Sequence, residues 1–251
     1  MHDYFCDLHI HSCLSPCGDD DMTPANIAGM GIINGLGIMA LTDHNTSKNC
    51  PAFFEAAKAH GLIPVAGMEL TTSEDIHMVC LFRTLEDAME FDRFVESRRI
   101  EFPNDPDIFG HQYIMDEADN ILGEEPDLLI NAADISLEEA FEEVIKRGGV
   151  AYPAHIDRQS NGIIAVLGTF PPEPHFTAYE LNDGNSDGEY RERFPMIKPL
   201  SRAVSSDAHY LWDISEAKFS LKLDDEPYSS QKVRDSLIDY LLGKDKGNHN
   251  G

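Results

Sequence analysis

A chain of 251 residues with 42% hydrophobic and 25% charged residues has the makeup of one large globular domain that buries a core, which excludes a wholly disordered chain or a miniature scaffold. A formal charge of −26 opposes long nucleic acid and anionic membrane surfaces, and no apolar run reaches the ~18 residues of a membrane span. Five irregularly spaced cysteines (Cys6, Cys13, Cys17, Cys50, Cys80) define neither a disulfide framework nor a zinc knuckle, so reduced thiols and a cytoplasmic location are expected.

The first β-like run, Tyr4–Ile10, leads into Asp7-Leu8-His9-Ile10-His11, and Thr23 with Pro24 then reads as a helix N-cap with a first-turn proline. A second run, Ile38–Leu41, enters Thr42-Asp43-His44-Asn45. A third, Leu62–Ala66, enters Gly67-Met68-Glu69, and a fourth, Ile76–Leu81, carries His77. The stretch Pro103–Asp134, rich in Pro, Asp, Glu and Asn, reads as a loop insertion and not as a second domain. Ser136-Leu137-Glu138-Glu139 reads as a capping box before a helix that places Leu137, Ala140, Phe141, Val144 and Ile145 on one face and ends at Gly148-Gly149. Runs at Gly149–Tyr152, Ala178–Leu181 and Ala203–Ser205 complete the set, and the first and last of them lead to His155 and to Asp207-Ala208-His209. Phe219, Leu221 and Leu223 alternate as a late edge strand would, while Val233, Leu237, Ile238 and Leu241 suggest a closing helix.

Seven strands alternating with amphipathic helices predict a parallel sheet, and at this length a closed or nearly closed α/β barrel. Residues 1–242 are expected to form this single domain, with 103–134 as its insertion and Gly243–Gly251 as a frayed tail. No GxGxxG or GxxxxGK[ST] fingerprint is present.

The chemistry lies at the strand ends. Side chains two apart on a strand face the same side, so His9 and His11 are expected to point together into the barrel, where two imidazoles on one rigid strand can chelate a metal. His44, Glu69, His77, His155, Asp207 and His209 recur at strand after strand. Uncompensated, such a convergence is costly, whereas cations turn it into binding energy.

DLHIHS at Asp7–Ser12, TDHN at Thr42–Asn45, GMEL at Gly67–Leu70, HMVCLF at His77–Phe82, PAH at Pro153–His155 and SSDAH at Ser205–His209 span nearly the whole chain. In these motifs and in their order the sequence resembles the PHP family, the polymerase and histidinol phosphatase domain proteins. The resemblance implies a distorted (β/α)7 TIM-like barrel, two to three divalent transition metals (zinc, manganese or iron), and hydrolysis of phosphate esters. It further implies that His9, His11, Glu69 and Asp207 surround one metal, that Glu69, His77 and His155 surround a second with Glu69 bridging, and that His44 and His209 hold a third. Asp7 and Asp43 look like groups that orient imidazoles, with Asp43 able to ligate directly.

The chain departs from the family pattern at Ser15-Pro16-Cys17-Gly18-Asp19-Asp20-Asp21. Either Cys17, whose sulfur would favour zinc or iron, or one of Asp19, Asp20 and Asp21 would complete the third site. Arg158 has the guanidinium geometry to hold a phosphate oxygen, with a surface salt bridge as its alternative role; Arg83, Lys48 and Arg202 are weaker candidates. His209, His44 or a water would protonate the leaving group. His2, His60, His111, His175 and His249 show no matching context.

The expected partner is a phosphorylated small molecule, a phosphomonoester of a metabolite or nucleotide, with neither long nucleic acid nor membrane. A phosphodiesterase or exonuclease acting on short nucleic-acid ends and a metal-binding regulatory module without turnover are the alternatives. The amidohydrolases also use HxH on a first barrel strand, but TDHN and SSDAH fit them less well. The sequence leaves the oligomeric state open.

Overall fold

The computed structural model describes residues 1–244, so the expected tail falls outside the described residues except for Gly243 and Lys244. In chain order the elements are β1 (His2–Asp7), α1 (Pro24–Ile33), β2 (Ile38–Leu41), α2 (Cys50–His60), β3 (Ile63–Thr71), β4 (His77–Phe82) and α3 (Leu85–Glu96). There follow α4 (Pro106–Phe109), the hairpin strands β5 (Tyr113–Met115) and β6 (Ile121–Glu124), α5 (Leu137–Lys146) and β7 (Val150–Pro153). The remainder is α6 (Ile163–Leu167), β8 (Ala178–Leu181), α7 (Asp187–Arg193), β9 (Ser201–Val204), β10 (Ser220–Leu223) and α8 (Ser230–Leu241).

One curled sheet runs β10-β1-β2-β3-β4-β7, and β8 pairs in parallel with β9. Two seams join these pieces into a distorted TIM-like barrel. At one, the Ile156 amide donates to the Glu180 carbonyl at 2.9 Å; at the other, a parallel bridge links Ile10 to Ala208. The seven expected strands are β1, β2, β3, β4, β7, β8 and β9, but they are not all parallel: β4 runs antiparallel to both neighbours. Only Thr72–Ile76 separates β3 from β4, and a parallel crossover needs a dozen or more residues, so this connection can only be a hairpin. Close pairing there requires Gly67, because a Cβ at that position would collide with the Cys80 carbonyl.

Alternate strand residues divide between two cores. Met39, Leu41, Ala66, Met68, Met78 and Cys80 join the helices around the outside, including Phe53 of α2, Phe91 of α3 and Val144 of α5. Ile38, Ala40, Ile63, Val65, Val79, Leu81, Val150 and Tyr152 meet one another and the apolar face of α8. The edge strand and closing helix are as expected: β10 pairs antiparallel with β1, and Val233, Leu237, Ile238 and Leu241 are fully buried.

Helix starts follow local chemistry. The Thr23 side chain accepts from the Asn26 amide, and that of Ser136 accepts from the Glu139 amide at 3.2 Å. Glu139 does not close the expected capping box, since its carboxylate accepts from Arg98 at 2.9 Å. Ile145 lies at the margin of the α5 apolar face, 39% exposed. The 103–134 insertion carries α4 and the β5–β6 hairpin and buttresses two loops. Tyr113 N donates to Cys13 O at 3.0 Å, and Asn49 donates through Nδ2 to Tyr113 O at 3.0 Å and accepts from Met115 N at 2.9 Å. Among the described residues no helix is long and apolar enough to cross a membrane.

Candidate metal centre

Strand register delivers the polar groups. The row Ile63, Val65, Gly67 that faces the barrel interior ends in Glu69, the row containing Val79 and Leu81 begins at His77, and Ala178 is followed two residues later by Glu180. β1 stops at Asp7, three residues short of the expected strand, yet His9 and His11 still reach the centre. The reason is that pairing continues across the seam: Asp207 N donates to His9 O at 2.9 Å and His11 N to Ala208 O at 3.0 Å.

Glu69 is the hub. Its Oε2 lies 3.4, 3.2 and 3.1 Å from His9 Nε2, His11 Nε2 and His44 Nδ1. Its Oε1 lies 2.7 Å from His77 Nδ1 and 3.0 Å from His155 Nε2. Asp207 Oδ1 stands 3.4 and 3.1 Å from His9 Nε2 and His11 Nε2. Three groups have the mutual geometry of a cation site: His9, His11, Glu69 and Asp207; His44, Glu69 and His77; and His11, His44 and His209. With metal–ligand bonds of about 2.1 Å, adjacent atoms of a tetrahedral or octahedral shell stand about 3.0–3.4 Å apart, the spacing seen here. His44 Nδ1 and Asp207 Oδ1 are buried without a hydrogen-bond partner although Glu69 Oε2 and His11 Nε2, respectively, lie 3.1 Å away, as suits atoms that face a cation in their separate clusters. The residues fit divalent cations.

The backbone is strained where it serves this centre: Asn45, His155 and Asp207 have φ of 53°, 26° and 54°, a region such residues enter at a cost of order 1–3 kcal/mol each. Without cations, burial opposes charge on His9 and His11, but Glu180, Asp207 and Glu69 outweigh it at His9 and push it well up, while Asp207 and Glu69 outweigh it at His11 and push it to about 9. Burial, reinforced by repulsion from His11, holds His44 well below its ordinary value and His209 at about 4. Burial also opposes the charge on Glu69 and Asp207, yet the surrounding imidazoles keep both well below the usual carboxylate range.

Two of the expected orienting groups act differently. The Asp7 carboxylate accepts from the Ser206 and Ser215 amides, each at 3.0 Å, and so shapes the loop that carries Asp207. Asp43 touches no imidazole directly; it accepts from Ser12 N and from Ser15 Oγ, and Ser15 Oγ lies 2.9 Å from His11 Nδ1. Outside the candidate ligand set, the carboxylate that meets an imidazole of the cluster is Glu180, 2.8 Å from His9 Nδ1, which sequence reasoning missed. Its signal was an acid inside the otherwise apolar run Ala178–Leu181. None of Cys17, Asp19, Asp20 and Asp21 belongs to a ligand cluster; Cys17 instead lines the cavity beside Asp207 and His209. Arg158 lines the same cavity and binds Asp207 Oδ2 through Nη1 at 2.6 Å.

The PHP domain family model matches residues 7–150, more than half of the chain. The chain belongs to the PHP domain family. The family is one of metal-dependent phosphoesterases. The chain's fold is similar to that of the lesion-specific endonuclease PfuEndoQ from Pyrococcus furiosus, with TM-score 0.64 and 16% identity over 98% of this chain and 57% of that one. It is also similar to Endonuclease Q in complex with a 27-mer duplex carrying an abasic lesion at the active site, with TM-score 0.58 and 17% identity over 84% of this chain and 50% of that one. A protein from Bifidobacterium adolescentis designated a metal-dependent phosphoesterase matches with TM-score 0.55 and 20% identity over 85% and 88% of the two chains. The PHP chain thus spans about half the length of the endonucleases it matches. No curated protein sequence matches it significantly.

Proposed function

We propose that this PHP protein hydrolyses a phosphomonoester of a small metabolite or nucleotide at a centre of two to three divalent transition metals. The observation that carries the reading is Glu69, whose two oxygens face separate sets of imidazoles and so suit a carboxylate bridging two cations. His9, His11, Glu69 and Asp207 are assigned to one cation, Glu69 with His77 and His155 to a second, and His44 with His209 to a third, since Ser15 holds His11 Nδ1 and leaves its Nε2 to a single cation. When bound, the cations neutralise phosphoryl charge and make a water acidic enough to ionise near neutral pH.

The chain's own residues do the rest. Glu180 fixes the ring of His9, and Asp43, acting through Ser15, fixes that of His11, so that Nε2 of each faces Glu69 and Asp207. Arg158, with its side chain 44% exposed at the cavity rim, is assigned to hold non-bridging phosphoryl oxygens, which guanidinium geometry suits. His44 and His209, kept neutral by burial, are poor proton donors at neutral pH, which favours ligation over general-acid duty for both. Five unpaired cysteines support a reducing, cytoplasmic setting.

The test is hydrolysis by metal-reconstituted protein of a panel containing sugar phosphates, nucleotides, histidinol phosphate, short oligonucleotides and a duplex with an abasic site. Turnover of monoesters is expected; the absence of both metal uptake and turnover would refute the assignment. The endonuclease fold favours a second reading, cleavage of a nucleic-acid strand, which the net charge of −26 opposes and which the duplex in the panel tests directly.

A further inference from the structure

A cavity of about 710 Å³ opens beside the cluster, and Arg158, Asp207, His209, Tyr210, Trp212 and Lys218 are among the residues that line it. Tyr210 and Trp212 stack with ring centroids 4.8 Å apart and planes 16° from parallel. Trp212, the single tryptophan of the chain, remains 76% exposed, and Tyr210 is 39% exposed. An aromatic of that size left open to water forgoes the burial that normally places it in a core.

The pair is held rigidly against the centre. His209 O accepts from Asp19 N at 2.9 Å, Asp213 N donates to Tyr210 O at 2.9 Å, and Ser215 N donates to Asp7 at 3.0 Å. Ile214 is buried, and its carbonyl accepts from Asn34 at 2.8 Å. A preorganised platform of this kind loses little conformational freedom when a planar group lies on it. Asn182, also in the cavity lining, donates through Nδ2 to Ser205 O at 3.0 Å, and its Oδ1 is buried without a partner.

We infer that the Tyr210–Trp212 pair is a stacking platform for a nucleobase, so that the substrate is a nucleotide or the unpaired end of a nucleic-acid strand, with its phosphate ester at the metal cluster. The inference rests on the phosphoesterase reading above and narrows its substrate class. Every base presents a π-face to an aromatic ring, and Arg158, the residue assigned to the phosphoryl oxygens, lines the same cavity as Tyr210 and Trp212.

Zinc-loaded protein is titrated with a nucleoside monophosphate, a dinucleotide, a short single strand and ribose 5-phosphate while the emission of Trp212 is read, and the same compounds are assayed as substrates. Nucleotides are expected to quench the emission saturably and to bind about tenfold more tightly than ribose 5-phosphate, the worth of one base–aromatic stack. Trp212→Ala should abolish that preference by raising KM for the nucleotide more than for the sugar phosphate, and Trp212→Phe should restore most of it. Tighter binding of the dinucleotide or strand identifies a strand end as the source of the base; tighter binding of the monophosphate identifies a free nucleotide. Equal affinity for nucleotide and ribose 5-phosphate, or equal weakening of both by Trp212→Ala, overturns the platform. Ribose 5-phosphate turnover without nucleotide preference would leave the hydrolase reading intact, whereas nucleotide-specific quenching with no ester hydrolysed would leave the platform standing and remove the hydrolase.

Discussion

Replacing Glu69 by Gln tests the hub of the centre while preserving side-chain shape. The amide keeps one oxygen and exchanges the other for an NH2 group, which donates hydrogen bonds and has no lone pair for a cation. Either the His9, His11 and His44 side or the His77 and His155 side therefore loses its ligand, and the negative charge is lost to both. Groups that merely orient a metal ligand cost about 10–100-fold in affinity or activity when removed, so losing a shared ligand should lower kcat/KM by at least about 100-fold. Metal content should fall by about one equivalent. Breaking a buried ion pair costs about 3–5 kcal/mol, but these imidazoles can shed protons in response, so the metal-free variant should sit at or below the lower end of that range and still fold. Elemental analysis after reconstitution, kinetics on any ester found to turn over, and urea unfolding followed by circular dichroism supply the three readouts. Full metal content with turnover within tenfold of wild type would show that Glu69 does not bridge.

In metal-free protein, His11 is raised from 6.5 to about 9, so its contribution is complete below pH ~6.5 and is lost as pH rises through about 9, a loss of about 3 kcal/mol for this shift. Urea midpoints in chelator should therefore fall across that window, while His209, lowered to about 4, contributes a decline as pH drops from ~6.5 toward 4; a flat profile on the alkaline side contradicts the electrostatic account. Metal binding should release protons and tighten with pH up to about 9, measured by titration calorimetry in buffers of different ionisation enthalpy. Glu180→Gln removes the charge facing His9 Nδ1 and should weaken metal affinity by roughly 10–100-fold with the fold intact, and unchanged affinity would deny it an orienting role. Cys17→Ser should leave metal stoichiometry unchanged, because the thiol lies outside every ligand cluster; loss of an equivalent would restore it as a ligand.

The ligand types and their order were legible in the sequence because each sits at or beside a short apolar run, where strand geometry fixes the direction of a side chain. Thus Glu69 follows in register from Ile63 and Val65, and His77 precedes Val79 and Leu81. The edge strand, the closing helix and the Thr23 cap were legible for the same local reason. The direction of β4 was not read from the sequence: alternation of strands and helices suggested a uniformly parallel barrel, although the expected runs ending at Ala66 and starting at Ile76 stand too close for a parallel crossover.

Tertiary structure alone decided which groups meet across the barrel. Glu180 and His9 are 171 residues apart, and nothing local in either segment indicates that one will accept from the other. Asp43 reaches His11 only through Ser15, and Asp7 turns toward Ser206 and Ser215, so the partner of each carboxylate depends on where a distant loop returns. Cys17 follows the same rule: the family resemblance left the third site to Cys17 or one of Asp19, Asp20 and Asp21, whereas the fold groups His44 and His209 with His11 and leaves the thiol on the cavity wall. Local sequence sets what a strand end offers, but the closure of the barrel, made through long-range pairing such as Ile10 with Ala208, sets what it touches.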